Sequence, residues 1–288
     1  MIDTFSPFQG EEHRSFHWEG GEAAAVLVHG FPGTPAEMRS VAKMLNEAGW
    51  TVHGLLLPGF GPEMPRIADY TPQDWINATA EKTRELRRTY RRVVLVGYSM
   101  GGAVSINAAR LERPDQLVLI SPFWRLGGSW QNRIWPVLRL IFRSFKPFRR
   151  ADFSDPKVRE GVYNFMPDID LDDPAVQDEL RRLSIPSALL DGLHAVGRMA
   201  YQNAAELTVP GIVVQGNNDL VVGLNNTRLL VQRLGDTFQY HEVDADHLII
   251  DGDSAGFSLL QRHLLNYLSL APAVTTSSRN GARPHKDA

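Results

Sequence analysis

The feature that most restricts how this chain can fold is the run Val93-Val94-Leu95-Val96-Gly97-Tyr98-Ser99-Met100-Gly101-Gly102. Its four leading apolar residues predict a buried strand, and the small residues of 103–111 predict a helix directly beyond it. A strand-to-helix turn this short forces its central residue, Ser99, into a strained backbone conformation, with the side chain projecting clear of the sheet. Glycine at 97 and 101 leaves the space that neighbouring strand and helix would otherwise fill. The helix aims its first N–H groups at the same spot, which suits a charge developing on an oxygen. Ser99 is therefore the candidate nucleophile.

The rest of the chain supplies a frame for such a turn. Strands are expected over 23–29, 51–57, 93–96, 117–120, 211–215 and 238–243. Helices are expected over 35–48, 72–90, 103–111, 224–234 and 254–270, the second opened by Pro72 behind Thr71 as N-cap. Strand alternating with helix predicts βαβ units and a parallel sheet. Between 122 and about 207 no strand is expected, and helical stretches, prolines and charges dominate. The expected organisation is one α/β core, residues 1–122 and 206–270, interrupted by a helical lid or cap at 123–205. Residues 271–288, rich in Thr, Ser, Arg, Gly and Pro, read as a disordered tail.

Composition excludes several classes. The net charge of −3 creates no field that would attract nucleic acid. There is no cysteine, so disulfides, thiolate catalysis and zinc-thiolate sites are ruled out. Neither a secretory leader nor a stretch of roughly 20 apolar residues is visible, so a cytoplasmic enzyme is expected. No metal cluster, dinucleotide fingerprint or phosphate loop appears, and no cofactor is expected.

Three further segments complete a candidate acyl-transfer site. His29-Gly30-Phe31-Pro32-Gly33 follows the first clear strand, and a turn there can present backbone N–H groups to the nucleophile. The oxyanion donors are assigned to the N–H groups of Phe31 and Met100, with His29 holding the loop. Phe31, Tyr98 and Trp124 are expected at the substrate pocket. Asp219 ends Gly216-Asn217-Asn218-Asp219 just beyond a strand, at the edge where open α/β sheets bind ligands. An Asp there can orient a catalytic imidazole, although turn aspartates are common. His247 lies in the loop after the strand 238–243 and is the natural base, whereas His241 and His263 fall within a strand and a helix. Ser99, Asp219 and His247 occur in the chain order expected when each residue follows its own strand.

With these segments in place, the chain resembles the bacterial carboxylesterase and monoacylglycerol lipase branch of the α/β-hydrolases. The resemblance rests on His29 to Thr34, on Pro58-Gly59-Phe60-Gly61, on Thr71-Pro72-Gln73-Asp74-Trp75, on Gly97 to Gly102, on Val213 to Asp219 and on the loop at His247. It implies the α/β-hydrolase fold, with a mostly parallel sheet flanked by helices and a helical lid. It also implies cofactor-free hydrolysis of carboxylic esters or monoglycerides through an acyl-enzyme on Ser99. A thioesterase, amidase, perhydrolase or C–C bond hydrolase would share these parts. A non-enzymatic binding relative would usually lack one triad member, and none is missing here.

The insertion opens with residues 123–150, which are basic and aromatic. Arg125, Arg133, Arg139, Arg143, Lys146, Arg149 and Arg150 alternate with Trp124, Trp130, Trp135, Phe142, Phe145 and Phe148, without one acidic residue. The stretch 151–179 is acidic, with Asp168, Asp170, Asp172 and Asp173 close together. A basic amphipathic helix bearing Trp and Phe can touch a lipid interface. The simpler arrangement has the apolar face, Ile134, Leu138, Ile141 and Phe145, covering an acyl pocket while the arginines pair with the acidic stretch. On that arrangement, hydrolysis of a long-chain monoglyceride rises smoothly through the micelle threshold. An abrupt jump there would assign the helix to the interface instead.

Overall fold

The computed structural model describes residues 8–125, 144–163 and 169–270. Its strands are β1 Phe16–Trp18, β2 Ala23–Val28, β3 Thr51–Leu55, β4 Arg92–Tyr98, β5 Gln116–Ile120, β6 Ser144–Phe145, β7 Ile185–Pro186, β8 Gly211–Gly216 and β9 Phe238–Val243. Its α-helices are α1 Arg39–Glu47, α2 Pro72–Thr89, α3 Met100–Leu111, α4 Pro156–Tyr163, α5 Pro174–Arg182, α6 Ser187–Ala204, α7 Leu224–Leu234 and α8 Phe257–Leu270. Among the described residues the main sheet runs β1-β3-β2-β4-β5-β8-β9, parallel throughout except for β1.

Every strand expected from sequence forms within a few residues of its expected bounds; β2, β4, β5 and β8 are mainly apolar runs buried along nearly their whole length, whereas the edge strand β9 is buried only at Phe238 and Val243. Alternate residues divide between two cores. Ala24, Val26, Val28, Val93 and Leu95 pack with α2, α3 and α6 on one face, and Ala25, Leu27, Val94 and Val96 with α1 and α8 on the other. The helix expected over 35–48 is a 3₁₀ turn, Pro35–Met38, running into α1. Thr34 starts that turn, its Oγ1 accepting the Ala36 N–H. At α2 the Asp74 carboxylate accepts the N–H of Thr71 at 2.7 Å, so the expected N-cap is locked by its own third residue.

Two features depart from the sequence expectation. Strand β1 is three residues long and pairs antiparallel with β3, too short for a periodic signal to register. The insertion, where no strand was expected, holds the two-residue antiparallel ladder β6–β7. Phe153, Val162, Leu171 and Leu180 form a small core of their own in the insertion. Helix α6, counted with the insertion by sequence, is bound to α3: Asn107 donates to the Val196 carbonyl at 3.1 Å and accepts from Asn203 at 2.7 Å. Within the acidic stretch Arg159 pairs with Asp172 at 3.0 Å, a pair other than the expected one between basic and acidic segments. Arg125 instead donates to the Asn226 side chain. Residues 126–143, with Ile134, Leu138 and Ile141 of the expected amphipathic face and Trp130, Arg133, Trp135, Arg139, Phe142 and Arg143, lie outside the described residues. So do Asp168 and the expected tail 271–288. Phe145, expected on the same helical face, stands in strand β6.

The strand order locates the site. From β2 the chain steps outward to β3, then returns to β4 on the other side of β2. The loops leaving β2 and β4 diverge at this reversal, and such a switch point opens a crevice at the carboxyl ends of the strands. Leu95 sits at the centre of the arrangement, fully buried on β4. Leu95→Ala is expected to cost about 2–5 kcal/mol, read as a lower midpoint in urea denaturation.

Candidate active site

The turn between β4 and α3 takes the form the sequence requires. Ser99 has φ 50° and ψ −119°, a left-handed conformation that a side-chain-bearing residue adopts only when its surroundings impose it. Here they do. The Ser99 N–H donates to the Ile120 carbonyl on β5 at 3.0 Å, and its own carbonyl accepts from Gly102 at 2.9 Å and from Phe123 at 3.0 Å. A Cβ on Gly101 would run into the backbone carbonyls of Val28 and His29, and one on Gly97 into Ser105 Oγ and the Gly101 carbonyl. The helix therefore packs directly on the end of β2, a contact open only to glycine.

Strands β8 and β9 deliver the other two residues. They are adjacent, with Gly216 opposite Val243, and their loops are tied by Asn217 N–H to the Val243 carbonyl and Asn218 N–H to the Ala245 carbonyl. Asp219 and His247 are thereby brought together across 28 residues of chain. His247 Nδ1 lies 2.7 Å from Asp219 Oδ2, and Nε2 lies 3.1 Å from Ser99 Oγ. A carboxylate only accepts, so Nδ1 carries the proton and Nε2 faces the serine hydroxyl as an acceptor. All three predicted residues are brought together, with Ser99 7% and Asp219 5% exposed, dry enough for electrostatics to act strongly.

Asp219 is fully engaged. Its Oδ1 accepts the Val221 and Val222 N–H groups at 2.9 and 2.8 Å, and its Oδ2 accepts Gln215 Nε2 at 2.9 Å besides His247. Burial alone would raise the carboxyl pKa. The His247 bond and charge, with the Val222 and Gln215 bonds, outweigh it and hold the group below the usual carboxylate range. Asp219 thus stays ionised at neutral pH and loses its stabilising contribution only in acid.

His29 is fully buried, donating from Nδ1 to the Gly30 carbonyl at 2.8 Å and accepting the Leu57 N–H on Nε2 at 3.1 Å. Burial pushes its pKa down to about 4, against a smaller opposing effect of the Gly30 carbonyl, so it is a neutral strut for the loop. Met100 opens α3, where the first N–H groups have no intrahelical acceptor, and Phe31 stands on the facing loop with its ring edge-on to Phe60. Tyr98, expected at the pocket, is 3% exposed beneath the histidine loop. Its ring lies 5.2 Å from that of His247, and its hydroxyl donates to the His247 carbonyl at 2.9 Å. Trp124 follows Phe123 at the nucleophile turn. It stacks on Tyr201 at 4.2 Å and donates Nε1–H to the Asn226 carbonyl at 2.7 Å, fastening the start of the insertion to α6 and α7.

Residues 21–246 match the Hydrolase_4 family, serine aminopeptidase, S33. The chain belongs to this family. It is 25% identical over 258 residues to the thermostable monoacylglycerol lipase of Bacillus sp. (strain H-257), covering 87% of this chain and 95% of that one. Among solved structures, that of the metagenome-derived lipolytic enzymes LipS and LipT superposes with a TM-score of 0.68 at 21% identity, over 90% of this chain and 98% of that one. The Paleococcus ferrophilus monoacylglycerol lipase does so at 0.64 and 20%, over 88% and 97%. These likenesses establish the α/β-hydrolase fold for this Hydrolase_4 chain. Among its described residues no helix is long and apolar enough to cross a membrane.

Sequence reasoning missed Gln215. It is a fully buried amide ending the apolar strand Gly211–Gly216, and Thr227 Oγ1 donates to its Oε1 at 2.7 Å. A polar residue closing a buried strand immediately before a candidate catalytic Asp is the signal that marks it. Gln215→Leu leaves Thr227 and Asp219 each short of a partner. It is expected to cost about 1–3 kcal/mol of stability and to lower kcat/KM roughly tenfold, measured by urea denaturation and p-nitrophenyl ester kinetics. Unchanged kinetics in the folded variant would show that the Val221 and Val222 amides suffice to hold Asp219.

Proposed function

We propose that the chain is a serine carboxylic-ester hydrolase, a carboxylesterase or monoacylglycerol lipase, working through an acyl-enzyme on Ser99. The observation that carries this is the Asp219–His247–Ser99 chain of hydrogen bonds, at 2.7 and 3.1 Å, on a serine held at positive φ. The name of the Bacillus relative and its near full-length alignment support a monoglyceride or simple ester as substrate.

In the proposed reaction His247 Nε2 takes the hydroxyl proton as Ser99 Oγ attacks the ester carbonyl carbon. The carbonyl oxygen gains the electron pair and is received by the N–H groups of Phe31 and Met100. Asp219, held ionised, stabilises the imidazolium that forms. Collapse of the tetrahedral species breaks the ester C–O bond, and the leaving alkoxide takes the proton back from His247. Water, deprotonated by the same imidazole, attacks the acyl-enzyme and releases the acid, restoring Ser99. No other co-reactant is needed. The half-buried Phe31 ring, beside its own amide, is placed to meet the acyl group.

Ser99→Ala is expected to lower kcat on the order of a million-fold while leaving the melting temperature nearly unchanged, and to abolish labelling by a fluorophosphonate probe. Retained turnover would overturn the assignment. A panel of p-nitrophenyl esters, monoacylglycerols, an acyl thioester and an aminoacyl anilide then fixes the class, with esters and monoacylglycerols expected to turn over fastest. Preference for the anilide would make the chain a peptidase, in keeping with its family's description.

A further inference from the structure

One carboxyl beside the nucleophile has no part in this reaction. Glu37 lies on the 3₁₀ turn Pro35–Met38, and its carboxyl folds back over the loop that carries Phe31. Its Oε1 accepts the Gly30 N–H at 2.5 Å. The carboxyl occupies the bare side of Gly33, where any Cβ would collide with it. It is also close to the reacting serine. A Cβ built on Gly30 would lie 3.2 Å from Ser99 Cβ, 3.3 Å from Glu37 Oε1 and 3.3 Å from the Tyr98 ring. Gly30 thus lies between this carboxyl and Ser99, and the peptide following Gly30 carries the Phe31 N–H.

We propose that Glu37 is the positioning residue of the oxyanion loop, and that it serves as a neutral carboxylic acid whose ionisation switches the site down. As a neutral acid its Oε1 still accepts the Gly30 N–H and holds the loop against Ser99. Once ionised it sets a negative charge beside the loop whose Phe31 amide must receive a developing negative charge, and like charges repel strongly where water is excluded. The proposal rests on the ester-hydrolase reading of Ser99.

The groups around the carboxyl leave its charge unbalanced. Tyr98 on β4 is held un-ionised, by burial first and then by the charges of Glu37, Asp219 and Asp246. His29 is neutral. Across the turn, His13 bonds Thr34 Oγ1 and Glu12 lies on the outer side of His13. Arg39, two residues along, turns its guanidinium to the Glu12 carbonyl and the Phe16 ring. His247 and its partner Asp219 stand beyond Tyr98. Among the described residues no lysine or arginine pairs with Glu37. Burial accordingly raises its pKa to about 7, against the smaller lowering effect of the Gly30 N–H.

The test is the pH dependence of kcat and KM for a p-nitrophenyl ester, between about pH 5.5 and about 9, on the full chain and on Glu37→Gln. Each profile is scaled to its own maximum. Wild type is expected to show a falling limb with its midpoint near 7. That limb belongs to kcat, since the charge opposes the transition state more than the bound ester, and it spans on the order of tenfold. Glu37→Gln keeps an acceptor for Gly30 but cannot ionise, so its profile lacks the limb. Glu37→Leu also lacks the limb and in addition has a lower kcat throughout, because Gly30 loses its acceptor; it answers the same question if the Gln variant does not fold. A falling limb retained by either folded variant, or absent from wild type, overturns the role of Glu37. Ser99→Ala, assayed beside them, separates the two claims: residual turnover there would sink the ester-hydrolase reading itself, whereas a dead Ser99→Ala with unchanged Glu37 profiles sinks only the inference drawn here.

Discussion

Everything at this site depends on how closely α3 approaches the end of β2. Gly101 lies so near the carbonyls of Val28 and His29 that no side chain fits between them. That contact holds Ser99 at positive φ, points its hydroxyl out of the sheet, and sets the first turn of α3 against the loop carrying Phe31. Strands β2 and β4 are neighbours, with Val28 opposite Gly97, so the Ser99 turn and the loop carrying Phe31 leave the sheet side by side. The strain at Ser99 costs on the order of 1–3 kcal/mol. It is sustained because β4 is buried on both faces and cannot relax without opening two cores at once.

Around this turn the structure manages buried charge in two opposite ways. Asp219 is kept ionised by four hydrogen bonds, from two amides, one carboxamide and one imidazole. Each donor is fixed by a loop or strand that packing has already placed, so the carboxylate needs no water. Glu37 has one backbone donor and, among the described residues, no paired cation, and burial favours its neutral form. His29 follows the same logic with the opposite sign: burial makes it neutral, against the smaller opposing effect of its bond to the Gly30 carbonyl. Of these three side chains one is ionised and two are neutral: the donors around Asp219 outweigh its burial, whereas burial prevails at Glu37 and His29.

Much of this was legible in the chain. The strand, the two glycines and the small-residue helix around Ser99 are a local pattern, and the constraint they encode is local and steric. Asp219 and His247 were legible because each ends or follows a recognisable apolar strand, and parallel sheets place such ends on one edge. What escaped were the residues whose roles depend on which polar groups the fold sets beside them, near or far along the chain. Gln215 reads as one more strand residue until Thr227 and Asp219 are seen on either side of it. Tyr98 reads as a pocket aromatic until its hydroxyl is found on the His247 carbonyl, 149 residues away. Strand β1 is too short to show a period, and the ladder β6–β7 is shorter still.

The sequence by itself determined the alternation of strand and helix, the chain order of the proposed nucleophile, acid and base, and the backbone strain at Ser99, since these follow from periodicity, from the loops that end each strand and from glycine at two positions. Only the tertiary structure decided which polar side chains are satisfied and which are left with a cost. It put Glu37 against the loop carrying Phe31 and stacked Trp124 on Tyr201. The physical reason is that hydrogen bonding and desolvation are set by what surrounds a group in space, and those surroundings form only when distant strands and helices close around it.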